Sequence, residues 1–269
     1  MMKKIALLVL ACAFLFSVVC FAAPGGSITL AGSTSVQPLA EELAKAYMAK
    51  FPDVKIAVQG GGSGAGVKAA MEGTADIGMC SRELNADEAS LTATEIAKDG
   101  VVMIVNKANS LSNLTLDQLQ KIYTGNFTTW KQVAGPKALK TKIVVVNREA
   151  GSGTRGAFEE LVLGKLKNTS NCIVQSSTGA VQQTVAVTKE AIGYISLGSL
   201  DTQAVKPLTL NGVVCNVKNI VAKQYLIQRP FLLLTKAAPS GPAKDFMEWI
   251  LSPEGQKIVS KEFISINAK

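Results

Sequence analysis

Short runs of β-forming residues alternate with helical segments along most of this chain, and that alternation is typical of an α/β fold. Apolar runs rich in Val and Ile predict the strands, and apolar residues three or four positions apart predict the helices. The predicted strands are residues 27–31, 54–58, 75–79, 101–105, 143–146, 173–174, 192–195 and 231–235. The predicted helices cover residues 36–47, 67–71, 154–163 and 243–250, and the last of them continues after Pro253 to Val259. One lobe built from both ends of the chain, with a second lobe inserted in the middle, would explain this order.

The first residues have the pattern of an export signal. Lys3 and Lys4 precede an apolar run that ends at the small residues Ala22 and Ala23, where cleavage is expected. The run is shorter than the roughly 20 apolar residues that a membrane span needs. Lipid attachment at Cys20 is the alternative. We therefore predict a chain exported to the periplasm, with residues 1–22 as signal peptide.

The composition excludes several classes of protein. The chain has no His, which removes Ser-His-Asp and Cys-His catalysis and every metal site that needs imidazole. Its net charge of +8 is scattered rather than arranged in basic blocks, so a nucleic-acid partner is not expected. Outside the leader the cysteines are Cys80, Cys172 and Cys215; Cys172 and Cys215 could pair, and the sequence does not settle this.

Three turns rich in Gly and Ser each follow a predicted strand and open a predicted helix: residues 32–35, 60–66 and 151–154. The start of a helix carries unpaired N–H groups and partial positive charge, which attract anions. A single such turn is more often a plain helix cap. Three at the carboxyl ends of strands, where α/β proteins bind ligands, indicate an anion site. The turn at 60–66 lacks the Gly-Lys-Ser/Thr ending of a Walker A loop, and it follows the second strand, which argues against a dinucleotide site.

Two charged residues bear on which anion the predicted site would bind. Arg148 follows a predicted strand closely, and guanidinium suits a tetrahedral oxyanion, with Glu149 available to orient it. Asp76 would repel an anion unless the ligand keeps a proton that the carboxylate can accept. Each also has a plainer interpretation, Arg148 as a surface ion pair and Asp76 as a turn residue at a strand end.

The residues of these turns resemble those of the PstS family, the periplasmic phosphate receptors of bacterial phosphate ABC transporters. The resemblance covers nearly the whole mature chain. It is carried by residues 31–35 (AGSTS), 60–68 (GGGSGAGVK), 75–78 (ADIG), 148–154 (REAGSGT), 192–197 (IGYISL) and 251–256 (LSPEGQ).

The resemblance implies an α/β fold of the two-lobed type II periplasmic-binding-protein class, with a mixed sheet flanked by helices in each lobe and two hinge crossings. It implies lobe I from residues 23–105 and 228–269, and lobe II from 106–227. It also implies a monomer that binds inorganic phosphate, passes it to a membrane-embedded ABC permease, catalyses nothing and uses neither cofactor nor metal. The implied phosphate-binding residues are Thr34, Ser35, Ser63, Asp76, Ser81, Arg148, Ser152, Gly153 and Thr154.

Two alternatives remain open at this stage. One is a receptor for another oxyanion, such as sulfate or molybdate, against which Asp76 and Arg148 are the predicted discriminating residues. The other is a secreted phosphatase or Ser-type hydrolase, which would need a base or a metal to activate its nucleophile.

Overall fold

The structure is a computed structural model, and it describes residues 25–135 and 139–268. The predicted signal peptide, its cleavage site at Ala22 or Ala23 and the lipid-anchor alternative at Cys20 lie outside the described residues. Within the described ranges, no helix is both long and apolar enough to cross a membrane.

Strands and helices alternate along the described chain, as the sequence predicts. The strands are β1 (Gly26–Gly32), β2 (Val54–Gly60), β3 (Ile77–Cys80), β4 (Thr92–Val105), β5 (Asn113–Leu114), β6 (Val144–Arg148), β7 (Ile173–Gln175), β8 (Ala191–Ser196), β9 (Lys206–Pro207), β10 (Thr209–Leu210), β11 (Gln228–Thr235) and β12 (Ile264–Ser265). The α-helices are α1 (Gln37–Lys50), α2 (Ser63–Glu72), α3 (Leu116–Tyr123), α4 (Trp130–Ala134), α5 (Gly153–Phe158), α6 (Thr178–Val187), α7 (Val217–Val221), α8 (Gly241–Leu251) and α9 (Pro253–Val259).

A mixed sheet connects two lobes, in the strand order β2-β1-β3-β11-β4-β8-β6-β7. In lobe I, β1 lies between β2 and β3, and both neighbours run parallel to it. In lobe II, β6 lies between β7 and β8, again in parallel. Strand β12 and the short β9 both pair with β4. Because parallel strands end at the same edge, the turns after β1, β2 and β3 gather at one edge, and those after β6 and β7 at another.

The lobes are joined where β4 changes partner. Its residues 92–100 pair with β11 in lobe I, and residues 101–105 pair with β8 in lobe II. The second crossing runs beside the first, since the Val101 N–H donates to the Ile227 carbonyl at 2.9 Å, immediately before β11 begins. The change of partner on β4 falls a few residues before the predicted lobe boundary at 105, and the start of β11 agrees with the boundary at 228. The boundaries themselves stay a prediction.

Each lobe has its own hydrophobic core. In lobe I, helix α1 turns Leu39, Leu43 and Tyr47 inward at four-residue spacing, and Tyr47 packs edge-on against Phe246 of α8 at 5.0 Å between ring centres. In lobe II, the ring of Phe158 on α5 stacks on Tyr194 of β8 at 4.2 Å. That stack fixes α5, and with it the turn that precedes α5, against the sheet.

Several elements differ from the sequence prediction. The predicted strand at 101–105 is the second half of a strand that begins at Thr92, and the predicted helix 154–163 is α5 followed by a π-helical segment, Glu159–Leu163. Helices α3, α4, α6 and α7 were not predicted. The disulfide that the sequence left open is not formed, because Cys80, Cys172 and Cys215 are free thiols.

Candidate functional site

The two lobes meet at the edges where their parallel strands end. The Gly64 N–H at the start of α2 donates to the Gly151 carbonyl of lobe II at 2.9 Å. The hydroxyl oxygens of Ser35 and Thr154 lie 2.9 Å apart across the same junction. The turns that surround this contact contain most of the polar side chains that the sequence singled out, together with others that it did not.

The turn after β1 supplies three hydroxyl groups. Ser33 is buried, and its Oγ accepts from the N–H groups of Ser35 and Val36 at 3.3 Å each, so it holds the turn that precedes α1. With Ser33 used in this way, the buried Ser35 and the half-buried Thr34 are left to face lobe II.

The Gly-rich turn after β2 brings α2 close to the sheet. A Cβ on Gly66 would lie 2.5 Å from the Met79 carbonyl oxygen and 2.9 Å from the Gly32 Cα. Only glycine therefore lets the first turn of α2 approach β1 and β3 this closely. The approach buries Ser63, the first residue of the helix, completely.

The turn after β3 joins the first two through Ser81, which is also buried. The Ser81 N–H donates to the Ser63 Oγ at 3.0 Å, and the Ser33 Oγ donates to the Ser81 Oγ at 2.9 Å. The two hydroxyls of Ser63 and Ser81 are 3.3 Å apart. Three turns of lobe I thus meet in one buried group of serine hydroxyls.

Arg148, the last residue of β6, extends from lobe II toward these hydroxyls and is only 1% exposed. Glu149 holds it in a fork, with Nε and Nη2 donating to the two carboxylate oxygens at 2.8 Å each. Nη2 also donates to the Thr34 Oγ1 of lobe I, and Nη1 to the Thr178 Oγ1, both at 3.3 Å. The guanidinium therefore bridges the two lobes.

The turn 151–154 completes the lobe II side. Ser152 is the N-cap of α5, where its Oγ accepts from the Arg155 N–H at 3.2 Å. Gly153 comes so close to lobe I that a Cβ there would collide with the Ser63 Oγ and lie 2.7 Å from the Ser81 Oγ. The first N–H groups of a helix have no partner within it, so the start of α5 presents donors beside these hydroxyls.

Thr178 belongs to the site although the sequence analysis did not identify it. It opens α6, its hydroxyl lies 2.9 Å from that of Ser35, and its N–H donates to the Thr34 Oγ1 at 3.3 Å. The signal was present, since residues 176–179 (SSTG) form a fourth Ser/Gly turn between a strand and a helix. It was missed because α6 itself was not predicted.

Asp76 is not part of this group, and its predicted role as acceptor of a ligand proton is corrected here. It precedes β3, level with Thr29 of β1, and its carboxylate accepts from the Thr29 N–H at 2.7 Å and the Thr29 hydroxyl at 2.8 Å. Asp76 is exposed, whereas Ser81 follows the opposite end of β3, roughly 16 Å away at the rise of a strand. Asp76 joins β1 to β3 at the edge far from the site.

A second buried guanidinium lies behind Ser81. Arg229 of β11 donates from Nη1 to the Ser81 carbonyl at 3.2 Å and to the Ser81 Oγ at 3.3 Å. Its Nε and Nη2 donate to Asp99 of β4 at 3.1 and 2.9 Å, and both side chains are almost fully buried. Burial raises the pKa of Asp99, and the charge of Arg229 opposes that rise. Asp99 also accepts from Ser196 and Leu197 of lobe II, so the pair lies at the crossing between the lobes.

The arrangement suits a small anion. Its polar groups are hydroxyls, N–H groups and guanidinium donors, and each guanidinium is balanced by one carboxylate. Among the described residues, no group of three or more Cys, Asp or Glu side chains is placed to hold a metal ion. Eight of the nine sequence-predicted residues lie in or beside this group: Thr34, Ser35, Ser63, Ser81, Arg148, Ser152, Gly153 and Thr154.

The sequence of this chain is similar to that of known binding proteins. The family model of the PBP superfamily domain matches residues 22–254. The phosphate-binding protein PstS of Bacillus subtilis is 32% identical over 238 residues, which cover 87% of this chain and 78% of that protein.

Two solved structures are similar throughout. One is a Clostridium perfringens protein solved with bound phosphate and assigned to a phosphate ABC transporter as its substrate-binding protein. It is 41% identical with a TM-score of 0.85, and the match covers 90% of this chain and 100% of that one. The other is an ABC-type phosphate transport receptor from Vibrio cholerae, 35% identical with a TM-score of 0.72, covering 89% of this chain and 100% of that one.

Proposed function

The chain belongs to the PBP superfamily and, within it, to the family of PstS phosphate-binding proteins, and from this membership we propose that it is a receptor for inorganic phosphate. It binds one phosphate between its lobes and delivers it to a membrane-embedded ABC permease. The protein is exported by its predicted signal peptide and works as a monomer in the periplasm.

The observation that carries this proposal is the position of Arg148 between the lobes. A buried guanidinium that reaches Thr34 across the junction, surrounded by hydroxyls and helix N–H groups, provides directional donors for the four oxygens of a tetrahedral anion. Donors on both lobes let one anion favour the closed arrangement over an open one.

The same groups argue against the hydrolase alternative. A serine nucleophile needs a base within hydrogen-bond reach. The hydroxyls of Ser63 and Ser81 contact other hydroxyls and N–H groups, and the nearby Glu149 is engaged by Arg148. We therefore expect the protein to bind phosphate esters weakly or not at all and to hydrolyse none.

Isothermal titration of the purified mature protein with phosphate tests the proposal, accompanied by an assay with a chromogenic phosphate ester. The expected result is saturable heat with one phosphate per chain and no ester turnover above background. Absence of heat with phosphate, or turnover that follows the protein through purification, would overturn it.

A further inference from the structure

A cavity of about 300 Å³ lies between the lobes, beside the strands that cross from one lobe to the other. Lobe I contributes Lys98 of β4, Ile264 of β12 and Ile266, which follows β12. Lobe II contributes Ile220 of α7 and Lys223, which lies just beyond that helix. None of these residues belongs to the anion site described above.

The cavity and the anion site lie on opposite faces of the crossing strands. Asp99 of β4 lies opposite Arg229 of β11, and the side chains of this pair extend toward Ser81 of the anion site. Successive side chains of a strand point to opposite faces, so the residues on either side of Asp99 face away from that site. A Cβ on Gly100 would lie 2.7 Å from the Cδ1 of Ile220, which shows that this second face looks toward α7.

The cavity combines apolar walls with two positive charges. Ile220 and Ile264 are buried, and Ile266 is an exposed apolar side chain. Lys98 and Lys223 are exposed, and neither forms an ion pair with a described residue. None of the described residues that line the cavity has a carboxylate. The ligand that complements these walls has an apolar body and one anionic group.

The volume of the cavity limits the size of such a ligand. One water molecule takes roughly 30 Å³ in the liquid, so the cavity has room for about ten non-hydrogen atoms. That is the size of a medium-chain or aromatic monocarboxylate.

We propose that this cavity is a second ligand site, which binds a small organic carboxylate with an apolar body and thereby favours the closed arrangement of the lobes. The carboxylate lies against Lys98 and Lys223, one from each lobe, and the apolar body lies against Ile220, Ile264 and Ile266. Binding of the carboxylate does not depend on the proposed function, whereas its effect on phosphate affinity rests on it.

The position of the cavity gives the sign of that effect. The lobes are in contact at the anion site, where the Gly64 N–H donates to the Gly151 carbonyl at 2.9 Å. Two bodies that turn about a hinge separate on one side of it as they approach on the other. Opening of the anion site would therefore bring α7 toward β12 and narrow the cavity. A ligand that fills the cavity binds the closed arrangement better, and it shifts the equilibrium toward that arrangement.

Octanoate is the probe, because it has a carboxylate, an apolar chain and about ten non-hydrogen atoms in all, the number that the cavity holds. Calorimetric titration of the mature protein with octanoate, at saturating phosphate, should show one site per chain with a Kd of about 1 mM. Octylammonium has a similar chain and the opposite charge, and it should not bind.

The effect on closure is measured by titrating phosphate with and without octanoate at about 10 mM, with sodium chloride replacing octanoate in the control. Octanoate should raise phosphate affinity by about fivefold or more. Coupling between two sites is reciprocal, so saturating phosphate should raise octanoate affinity by the same factor.

Variants of two lysines near one helix locate the site. Lys223→Gln removes a charge from the cavity wall, and it should weaken octanoate binding by about threefold or more, the lower range for a charged hydrogen bond being near 1 kcal/mol, without changing phosphate affinity measured alone. Lys218→Gln is the matched control, because Lys218 is an exposed lysine of α7 that does not line the cavity. It should leave the affinities for both ligands unchanged.

A third variant fills the cavity from lobe I. Ile266→Trp adds an indole at an exposed position of the wall, and it should weaken octanoate binding by about tenfold or more. Because the position is exposed, the variant should fold as the parent does.

No saturable binding of octanoate below about 10 mM, or equal binding of octylammonium, would overturn this inference and leave the proposed receptor intact. Equal effects of Lys223→Gln and Lys218→Gln, or octanoate binding that leaves phosphate affinity unchanged or lowers it, would overturn it too. No heat with phosphate alone would instead overturn the proposed function.

Discussion

At the residue scale, the site depends on how Arg148 is held. Arg148 is buried, and its guanidinium contacts Glu149 of its own lobe and Thr34 of the other. Burial of this kind keeps the charge from water, so that its attraction for an anion is screened less than at the surface.

Arg148→Ala should weaken phosphate binding by about 2 to 4 kcal/mol, because it removes a charged donor and leaves Glu149 facing the anion. Arg148→Lys is the matched variant, and it should recover part of the loss, since it restores the charge without the fork. Titration calorimetry measures both. Unchanged affinity in Arg148→Ala would contradict the role given to this residue.

A second residue-scale prediction concerns stability and pH. Arg82 donates to both oxygens of Glu88 at 2.7 Å, and these hydrogen bonds hold the pKa of Glu88 below its ordinary value. A lowered pKa in the folded state means that the pair stabilises the fold above the unfolded pKa and loses this effect as the pH falls through the folded value.

Glu88→Gln should therefore lower the free energy of unfolding by about 1 to 3 kcal/mol at neutral pH, and the difference should shrink below about pH 4. The exposed pair Lys68–Glu72, at 3.8 Å, supplies the control. Glu72→Gln should change stability by less than about 0.5 kcal/mol at any pH. Denaturant unfolding at several pH values tests both, and equal effects of the two variants would contradict the assignment.

Site residues that belong to a local sequence pattern were predictable, whereas the contacts that surround each residue in the fold were not. Arg148 and the turn serines were found because Gly, Ser and Arg near strand ends have a definite physical preference. Asp76 was misplaced although the predicted strand 75–79 already puts it near the amino end of that strand. Ligands of α/β proteins bind at the carboxyl ends of strands, so its position argued against a place in the site. Arg229 was missed because its position beside Ser81 depends on hydrogen bonds to Asp99, which is remote in sequence.

At the element scale, the position of α2 depends on close backbone contact with β1 and β3. A Cβ on Gly66 would meet the backbone oxygens of Met79 at 2.5 Å and Ala31 at 2.8 Å. Strand backbone cannot give way as a flexible side chain can, so the helix would have to move.

Gly66→Ala should destabilise the protein by about 1 to 3 kcal/mol, the usual range for overpacking. Gly64→Ala in the same helix is the matched control, because its Cβ would have ordinary contacts of 3.4 Å and longer. Alanine is also the better helix former, so Gly64→Ala should be neutral or slightly stabilising. Thermal unfolding compares the two, and equal midpoints would contradict this account of the turn.

Gly153 gives an element-scale prediction about binding. A Cβ there would collide with the Ser63 hydroxyl across the junction, but it would not disturb the interior of lobe II. Gly153→Ala should therefore reduce phosphate affinity by about tenfold or more while leaving the thermal midpoint nearly unchanged. A large fall in the midpoint, or unchanged affinity, would contradict the close approach of α5 to lobe I.

Strongly patterned elements were predictable, and short or irregular ones were not. Helix α1 and the apolar part of β11 have clear periodicity, and the structure contains both. Residues 92–100 of β4 mix exposed and buried positions with polar residues, so only pairing with β11 makes them a strand. Helix α6 likewise depends on packing against β8 rather than on a strong pattern of its own.

At the scale of the whole molecule, two separate cores joined by adjacent crossings permit the lobes to move as units. The crossing on β4 lies at Gly100 and Val101, and the other lies beside it at Ile227. The contacts that hold the lobes together at the site are a few polar ones, such as Gly64 to Gly151. An anion that bridges the lobes should then favour closure.

Small-angle scattering should show a smaller radius of gyration for the mature protein with phosphate than without it. Arg148→Ala is the control, since it should remain open at phosphate concentrations that close the parent. Binding confirmed by calorimetry with no change in radius would contradict hinge closure. The order of strands and helices indicated an α/β fold and was compatible with two lobes, and the resemblance to a family made the two-lobed architecture a definite prediction.

The central claim is that one phosphate lies between the lobes, held by residues of both. An experimental crystal structure of the mature protein grown with phosphate tests it most directly. The account predicts one tetrahedral anion within hydrogen-bond distance of Arg148 and the turn 152–154 on one side, and of Ser35, Ser63 and Ser81 on the other, with Asp76 still bonded to Thr29. Phosphate contacted by only one lobe, or bound elsewhere with this junction unoccupied, would contradict it.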